Sequence, residues 1–186
     1  MIQRVCLNRE LEIQRGYNLP FRNGQVKISQ GFNGPWSHFA FKKNRERFKN
    51  ELYDFSFSVD FEVPLGTQVR AAKDGVQCGC YNGEEIAYEG LDENIGWGMK
   101  TNFVFLRHAD RMFTCYSHLN KTGFRFKDGA RVRQGEVIAE TGASGWIGPK
   151  PHLHFCVFNM VSDDFYLATF PFVFENYQGS LEHSEL

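Results

Sequence analysis

A chain of 186 residues, 42% of them hydrophobic, is long enough to bury one sizeable core and fits a single domain. Its 21 basic and 22 acidic residues leave a formal charge of −1, without the basic excess of a dedicated nucleic-acid binder. No apolar run reaches the roughly eighteen residues of a membrane span, and residues 1–10 carry no hydrophobic export segment, so the chain as given reads as soluble and unanchored, with its compartment open.

Nineteen phenylalanines and many β-branched residues in short runs punctuated by glycine predict an all-β domain, a mostly antiparallel sandwich with a groove between loops. In chain order the strands are expected at 25–30, 55–61, 68–72, 75–81, 102–107, 112–118, 136–140 and 153–159. Turn-forming clusters separate them, among them Lys73-Asp74-Gly75, His108-Ala109-Asp110 and Lys127-Asp128-Gly129. The charged stretch 42–52 alone favours a helix, or else is an insertion. Residues 127–141 place two glycine-centred turns around short strands. That is a β-bracket and not a phosphate loop, since no helix pattern follows it.

The five cysteines, Cys6, Cys78, Cys80, Cys115 and Cys156, are an odd number without the spacing of a zinc knuckle. Most are expected to be buried thiols.

Chemistry concentrates in Pro151-His152-Leu153-His154-Phe155. In a strand, alternate side chains share a face, so His152 and His154 project together while Leu153 and Phe155 enter the core. Paired imidazoles suit a metal site or acid–base work, although a solvated pair of histidines is the plain reading of an isolated motif. His183 lies in a polar tail, and His108 in a hairpin turn is expected to be structural. His38, His118 and Asp60 are left to join the pair. One carboxylate and two histidines with an open position for water is the donor set of a catalytic zinc centre.

The order of the motifs resembles the LytM/lysostaphin-type zinc metallopeptidases. Val59-Asp60-Phe61 with residues 64–72 is similar to that family's metal-aspartate strand and following turn. Gly96-Trp97-Gly98, Tyr116-Ser117-His118-Leu119, the glycines at 129, 135, 142 and 145, and residues 151–155 follow in the family's sequence. The resemblance spans about residues 19–158 and implies a duplicated hybrid motif fold, a Zn2+ cofactor and hydrolysis of peptide cross-links in bacterial peptidoglycan. It implies metal ligation by Asp60 and His154, with His118 and His152 as the catalytic pair. The family's first motif is usually His-x-Gly-x-Asp, but this chain has Ser56 and Ser58 before Asp60. A subset of the family puts that ligand on a preceding loop, and Gln30-Gly31-Phe32 followed by Ser37-His38 matches it, making His38 the third ligand. The chain between His38 and Asp60 must then loop out, with Asp54 and Glu51 as weaker substitutes.

The expected organisation is one domain over 1–186, with a core at 19–158, a charged insertion at about 40–54 and an extension at 159–186. Two other readings compete. One is a degenerate relative that binds wall peptides or regulates a wall hydrolase, supported by the missing histidine at Ser56. The other is a biotinyl- or lipoyl-type carrier, for which Met99-Lys100-Thr101 is a poor match and the paired histidines go unexplained.

Overall fold

Strand His152–Asn159 is the hub of the fold. Leu153, Phe155 and Val157 are fully buried on one side of it, while His152 and His154 stay partly exposed on the other. This is the period-two consequence of an extended backbone. The computed structural model describes residues 2–4, 11–22, 26–45, 48–83, 87–88, 101–148, 150–159 and 165–183. Among them there is no helix, and none of the elements is long and apolar enough to cross a membrane as a helix.

One large sheet runs, in spatial order, through Ile2–Arg4, Ala40–Arg45, Phe48–Asp54, Phe165–Thr169, His152–Asn159, Phe113–Ser117, Phe103–Arg107, Gly75–Tyr81 and Arg131–Val132. The first half of His152–Asn159 also pairs with Ser58–Glu62, which pairs with Lys27–Gln30. Every pairing in this sheet is antiparallel except that of Phe165–Thr169 with Phe48–Asp54. Packed against it is the bracket formed by Gln68–Arg70 and Val137–Glu140. Val69, Ala71, Ile138 and Ala139 from the bracket meet Val59, Phe61, Tyr116, Leu153 and Phe155 from the sheet in one core. Phe155 sits at its centre, with Tyr116, Phe172 and Phe174 rings at 5.3, 5.3 and 5.5 Å.

A second, smaller cluster on the opposite face joins Cys115, Cys156 and Phe158 to Phe105, Phe113 and Leu167. Beyond His154, therefore, strand His152–Asn159 is buried on both faces.

Three expectations are corrected. The charged stretch 42–52 is not a helix but part of a hairpin, Ala40–Arg45 against Phe48–Asp54. Pairing on both flanks, with Ile2–Arg4 and Phe165–Thr169, outweighs a weak local helix preference. The strand expected from residue 55 begins at Ser58, because Ser58 N–H donates to the Phe55 carbonyl and closes a turn first. Of the four described cysteines, Cys115 and Cys156 are buried as a cross-strand pair, whereas Cys78 and Cys80 are exposed. Two residues apart, the latter share a solvent-facing side of Gly75–Tyr81. Gly96-Trp97-Gly98, Met99, Lys100 and Cys6 lie outside the described residues.

His108 is structural in detail. It is buried, and its Nδ1–H donates to the Asp74 carbonyl at 2.8 Å. That leaves Nε2 to accept from Thr114 Oγ1 at 3.0 Å, and the hydroxyl chain continues to Tyr116. Burial lowers the His108 pKa, so the neutral ring is the form this network holds. His183 contributes its backbone, N–H to the Phe32 carbonyl.

Candidate metal centre

Register across four strands lays out the floor of the site. Gln30 is opposite Asp60, Asp60 opposite His154, and His154 opposite Ser117. Directly paired residues point to the same face, so Asp60 and His154 are side-by-side neighbours. His154 Nδ1 lies 2.8 Å from Asp60 Oδ1. Two residues back on the same face, His152 Nε2 is 3.8 Å from that oxygen. His152 Nδ1–H donates to the Lys150 carbonyl at 3.0 Å, which leaves Nε2 turned inward.

His38 arrives from the loop after Lys27–Gln30. Phe32 pairs with the tail of the chain through Phe32 N–H to the Leu181 carbonyl and His183 N–H to the Phe32 carbonyl, 2.7 and 3.1 Å. The carbonyl of the preceding Gly31 accepts His38 Nδ1–H at 2.9 Å. A Cβ at Gly31 would meet the Leu181 carbonyl oxygen at 2.4 Å, so only glycine admits this approach. The hairpin then carries the chain away and returns it, with Ala40 opposite Asp54 and Phe55 N–H on the Phe39 carbonyl. His38 Nε2 ends 3.2 Å from Asp60 Oδ1.

His118 follows strand Phe113–Ser117 in a left-handed conformation, φ +64°. Such a backbone costs energy for a non-glycine residue and persists where its surroundings fix it. Here Gly142 N–H donates to the His118 carbonyl at 2.7 Å, an approach that a Cβ on Gly142 would block by meeting Asn120 N at 2.5 Å. His118 Nδ1–H donates to the Ser144 carbonyl at 2.8 Å. Its ring stands edge-to-face with His152, centroids 4.6 Å apart, and 6.1 Å from His154.

Burial opposes charge on Asp60, yet the imidazoles of His38 and His152 and the hydrogen bond from His154 hold its carboxyl well below the usual range. Burial, with His152 and His154 nearby, pushes His118 down to about 3. Burial likewise lowers His154, against the pull of Asp60. The site thus sets an ionised carboxylate beside two rings, His118 and His154, whose charged forms burial disfavours.

His38, Asp60 and His154 each offer a ligand atom, all within 4.8 Å of one another. His38 Nε2 is fully buried and has no hydrogen-bond partner. With its proton on Nδ1, the Nε2 lone pair faces a carboxylate oxygen, an arrangement a divalent cation relieves. Anchoring the distal ring nitrogen on a backbone carbonyl is the usual support of a metal-bound imidazole. Two nitrogens and one oxygen suit zinc among the common metals.

The sequence-derived residues His38, Asp60, His118, His152 and His154 therefore converge, and His108 and His183 stand elsewhere. Ser56 is not among the grouped ligands; its carbonyl accepts Asn33 N–H. Asp54 is spent on a turn, where Oδ1 accepts Ser56 N–H at 2.9 Å, and the Glu51 side chain lies outside the described residues. Sequence reasoning passed over Gln30, whose Nε2 donates to Asp60 Oδ2 at 2.9 Å. It entered only as the first residue of the Gln30-Gly31-Phe32 match before His38, which gave it no role of its own.

The profile of Peptidase family M23 matches residues 54–163, which include Asp60, His118, His152 and His154 but not His38. The DD-carboxypeptidase/endopeptidase Mpg of Neisseria meningitidis is 37% identical over 97 residues, 52% of this chain and 18% of that protein. The glycyl-glycine endopeptidase ALE-1 of Staphylococcus capitis is 38% identical over 104 residues, 53% of this chain and 23% of that protein. The chain thus spans less than a quarter of the length of either relative. The catalytic domain of the prophage-encoded M23 protein EnpA of Enterococcus faecalis has the same fold, with a TM-score of 0.51 at 16% identity over 82% of this chain and 93% of that one. With more than half of its residues matched by the profile, the chain belongs to Peptidase family M23.

Proposed function

We propose that the protein is a zinc-dependent endopeptidase that hydrolyses peptide bonds in the cross-links of bacterial peptidoglycan. The observation that carries this reading is the convergence of His38, Asp60 and His154 beside two further imidazoles, His118 and His152. His38 Nε2, Asp60 Oδ1 and His154 Nδ1 would hold the ion. Zinc bound there supplies a Lewis acid for the peptide carbonyl and lowers the pKa of a water in its open position towards neutrality.

The chain's own groups do the proton work. His118 and His152 both give Nδ1–H to backbone carbonyls, so each keeps an Nε2 free to accept a proton. Burial keeps the His118 ring neutral in the resting site. An Nε2 that has taken the proton of the attacking water becomes a donor. It then stabilises negative charge growing on the carbonyl oxygen, or passes the proton to the departing amine. The catalytic core is assigned to residues 19–158 of a single domain, with the hairpin at 40–54 as an insertion and 159–186 as an extension. Relatives named for peptidoglycan and glycyl-glycine cleavage support the substrate class.

The test combines metal analysis with digestion of purified cross-linked peptidoglycan, the fragments resolved by mass spectrometry. About one zinc per chain and metal-dependent release of cleaved peptides are expected. A protein that binds zinc but leaves wall material intact would refute the enzymatic reading.

A further inference from the structure

We infer that Gln30 is a positioning residue that restricts Asp60 to a single coordinating oxygen, Oδ1, and fixes the loop carrying His38. The inference rests on the ligand set proposed above and goes beyond it. Gln30 itself lies outside the residues matched by the family profile.

Gln30 is buried, 4% exposed, at the end of strand Lys27–Gln30 and in register with Asp60. Its side-chain amide is used at both ends. Nε2 donates to Asp60 Oδ2 at 2.9 Å and lies 3.3 Å from Ser37 Oγ, while Oε1 accepts Trp36 N–H at 2.9 Å. The reversed amide would set Oε1 against the carboxylate and NH2 against a backbone N–H, so one orientation is fixed. The consequence for Asp60 is asymmetric. Oδ2 is occupied by the amide, and the nitrogens of His154, His38 and His152 lie 2.8, 3.2 and 3.8 Å from Oδ1. One carboxylate oxygen is thereby reserved for the protein and the other for the metal.

The same side chain organises the loop. Trp36 and Ser37, both in contact with Gln30, immediately precede His38. Gly34 lies over the Gln30 side chain, and a Cβ there would sit 2.2 Å from Gln30 Cγ and 2.8 Å from Cδ. Gly34→Ala therefore disturbs Gln30 from the loop side, without changing any atom that touches Asp60.

The experiment titrates Zn2+ and Co2+ into the full chain against a chromophoric chelator, for wild type, Gln30→Met and Gly34→Ala. Thermal midpoints of the metal-free proteins are measured alongside. Gln30→Met keeps the side chain's length and removes its hydrogen bonds. Both variants are expected to bind metal about 10–100-fold more weakly, the usual consequence of losing an outer partner of a ligand. The metal-free midpoint of Gln30→Met should stay near that of wild type. In Co2+-loaded Gln30→Met, Asp60 is free to chelate through both oxygens, and the d–d absorption should weaken as coordination rises above four. Wild-type affinity and spectrum in Gln30→Met would overturn the inference and leave the proposed function standing. An affinity loss that only tracks a fall in metal-free stability would overturn it too, by making Gln30 a packing residue. A wild-type chain that binds neither metal would overturn the functional reading together with this one.

Discussion

His38 Nε2 lies 3.2 Å from Asp60 Oδ1, although an entire β-hairpin is inserted in the chain between them. The insertion costs the site little, because the hairpin closes where it opens, with Ala40 beside Asp54 and Phe39 bonded to Phe55. What matters for the two side chains is the rigidity of the pieces that hold them. Asp60 is fixed by pairing on both flanks, and His38 by the Gly31 carbonyl on a loop tied to residues 181–183.

His38→Ala is expected to lose stoichiometric zinc while keeping its β-sheet far-ultraviolet dichroism. The lost ring is one of three grouped ligands and its Nε2 has no other partner. Elemental analysis after gel filtration measures the change, and full zinc content in the variant would mean that another group is the third ligand.

His118 and His154 are expected to fail in different ways. His118 is anchored to the Ser144 carbonyl and is not among the grouped ligands. His118→Ala should lower turnover on cross-linked peptides by about 10²–10⁴, the range for a proton-transfer group, with zinc retained. His154→Ala should lose zinc and activity together. Parallel metal and rate measurements decide it: loss of zinc in His118→Ala would remove the distinction.

Phe155→Ala should destabilise the protein by about 3–5 kcal/mol, as expected for a fully buried aromatic ring. The ring is packed among Tyr116 on one strand and Phe172 and Phe174 on another, Phe172–Phe174, which restrict collapse around the cavity. Urea unfolding of wild type and variant provides the measurement, and a cost below 1 kcal/mol, the scale of ordinary surface substitutions, would contradict the packing described.

His108 makes stability depend on pH. Its folded pKa is lowered by burial, so below its ordinary value of 6.5 the unfolded chain binds a proton that the folded chain refuses. The neutral ring's contribution is therefore fully present above pH 6.5. It is lost as pH falls towards the folded value, by at most about 1.4 kcal/mol per pH unit. The stability difference between wild type and His108→Gln should narrow steadily below pH 6.5 in urea titrations. A difference independent of pH would show that the ring is not held neutral.

Local pattern carried much of the architecture. Alternation in residues 152–158 places Leu153 and Phe155 in the core and the two histidines outside it, because strand periodicity is written in consecutive residues. Glycine spacing likewise located the bracket around Val137–Glu140. It did not reveal the hairpin at Ala40–Arg45 and Phe48–Asp54, whose strand character comes from partners on both sides. Nor did it separate the exposed Cys78 and Cys80 from the buried Cys115 and Cys156, since exposure depends on what covers a face.

For the site, the sequence by itself determined the chemical inventory, an aspartate and four histidines, and the shared face of His152 and His154. The tertiary structure alone decided how they meet. Register brings Asp60 beside His154 from 94 residues away. Closure of the hairpin and the tail at Phe32 deliver His38. The Ser144 and Lys150 carbonyls orient His118 and His152, and Gln30 occupies one oxygen of Asp60. These contacts rest on backbone groups and long-range pairings, which have no local periodicity and leave no signature in the order of the residues.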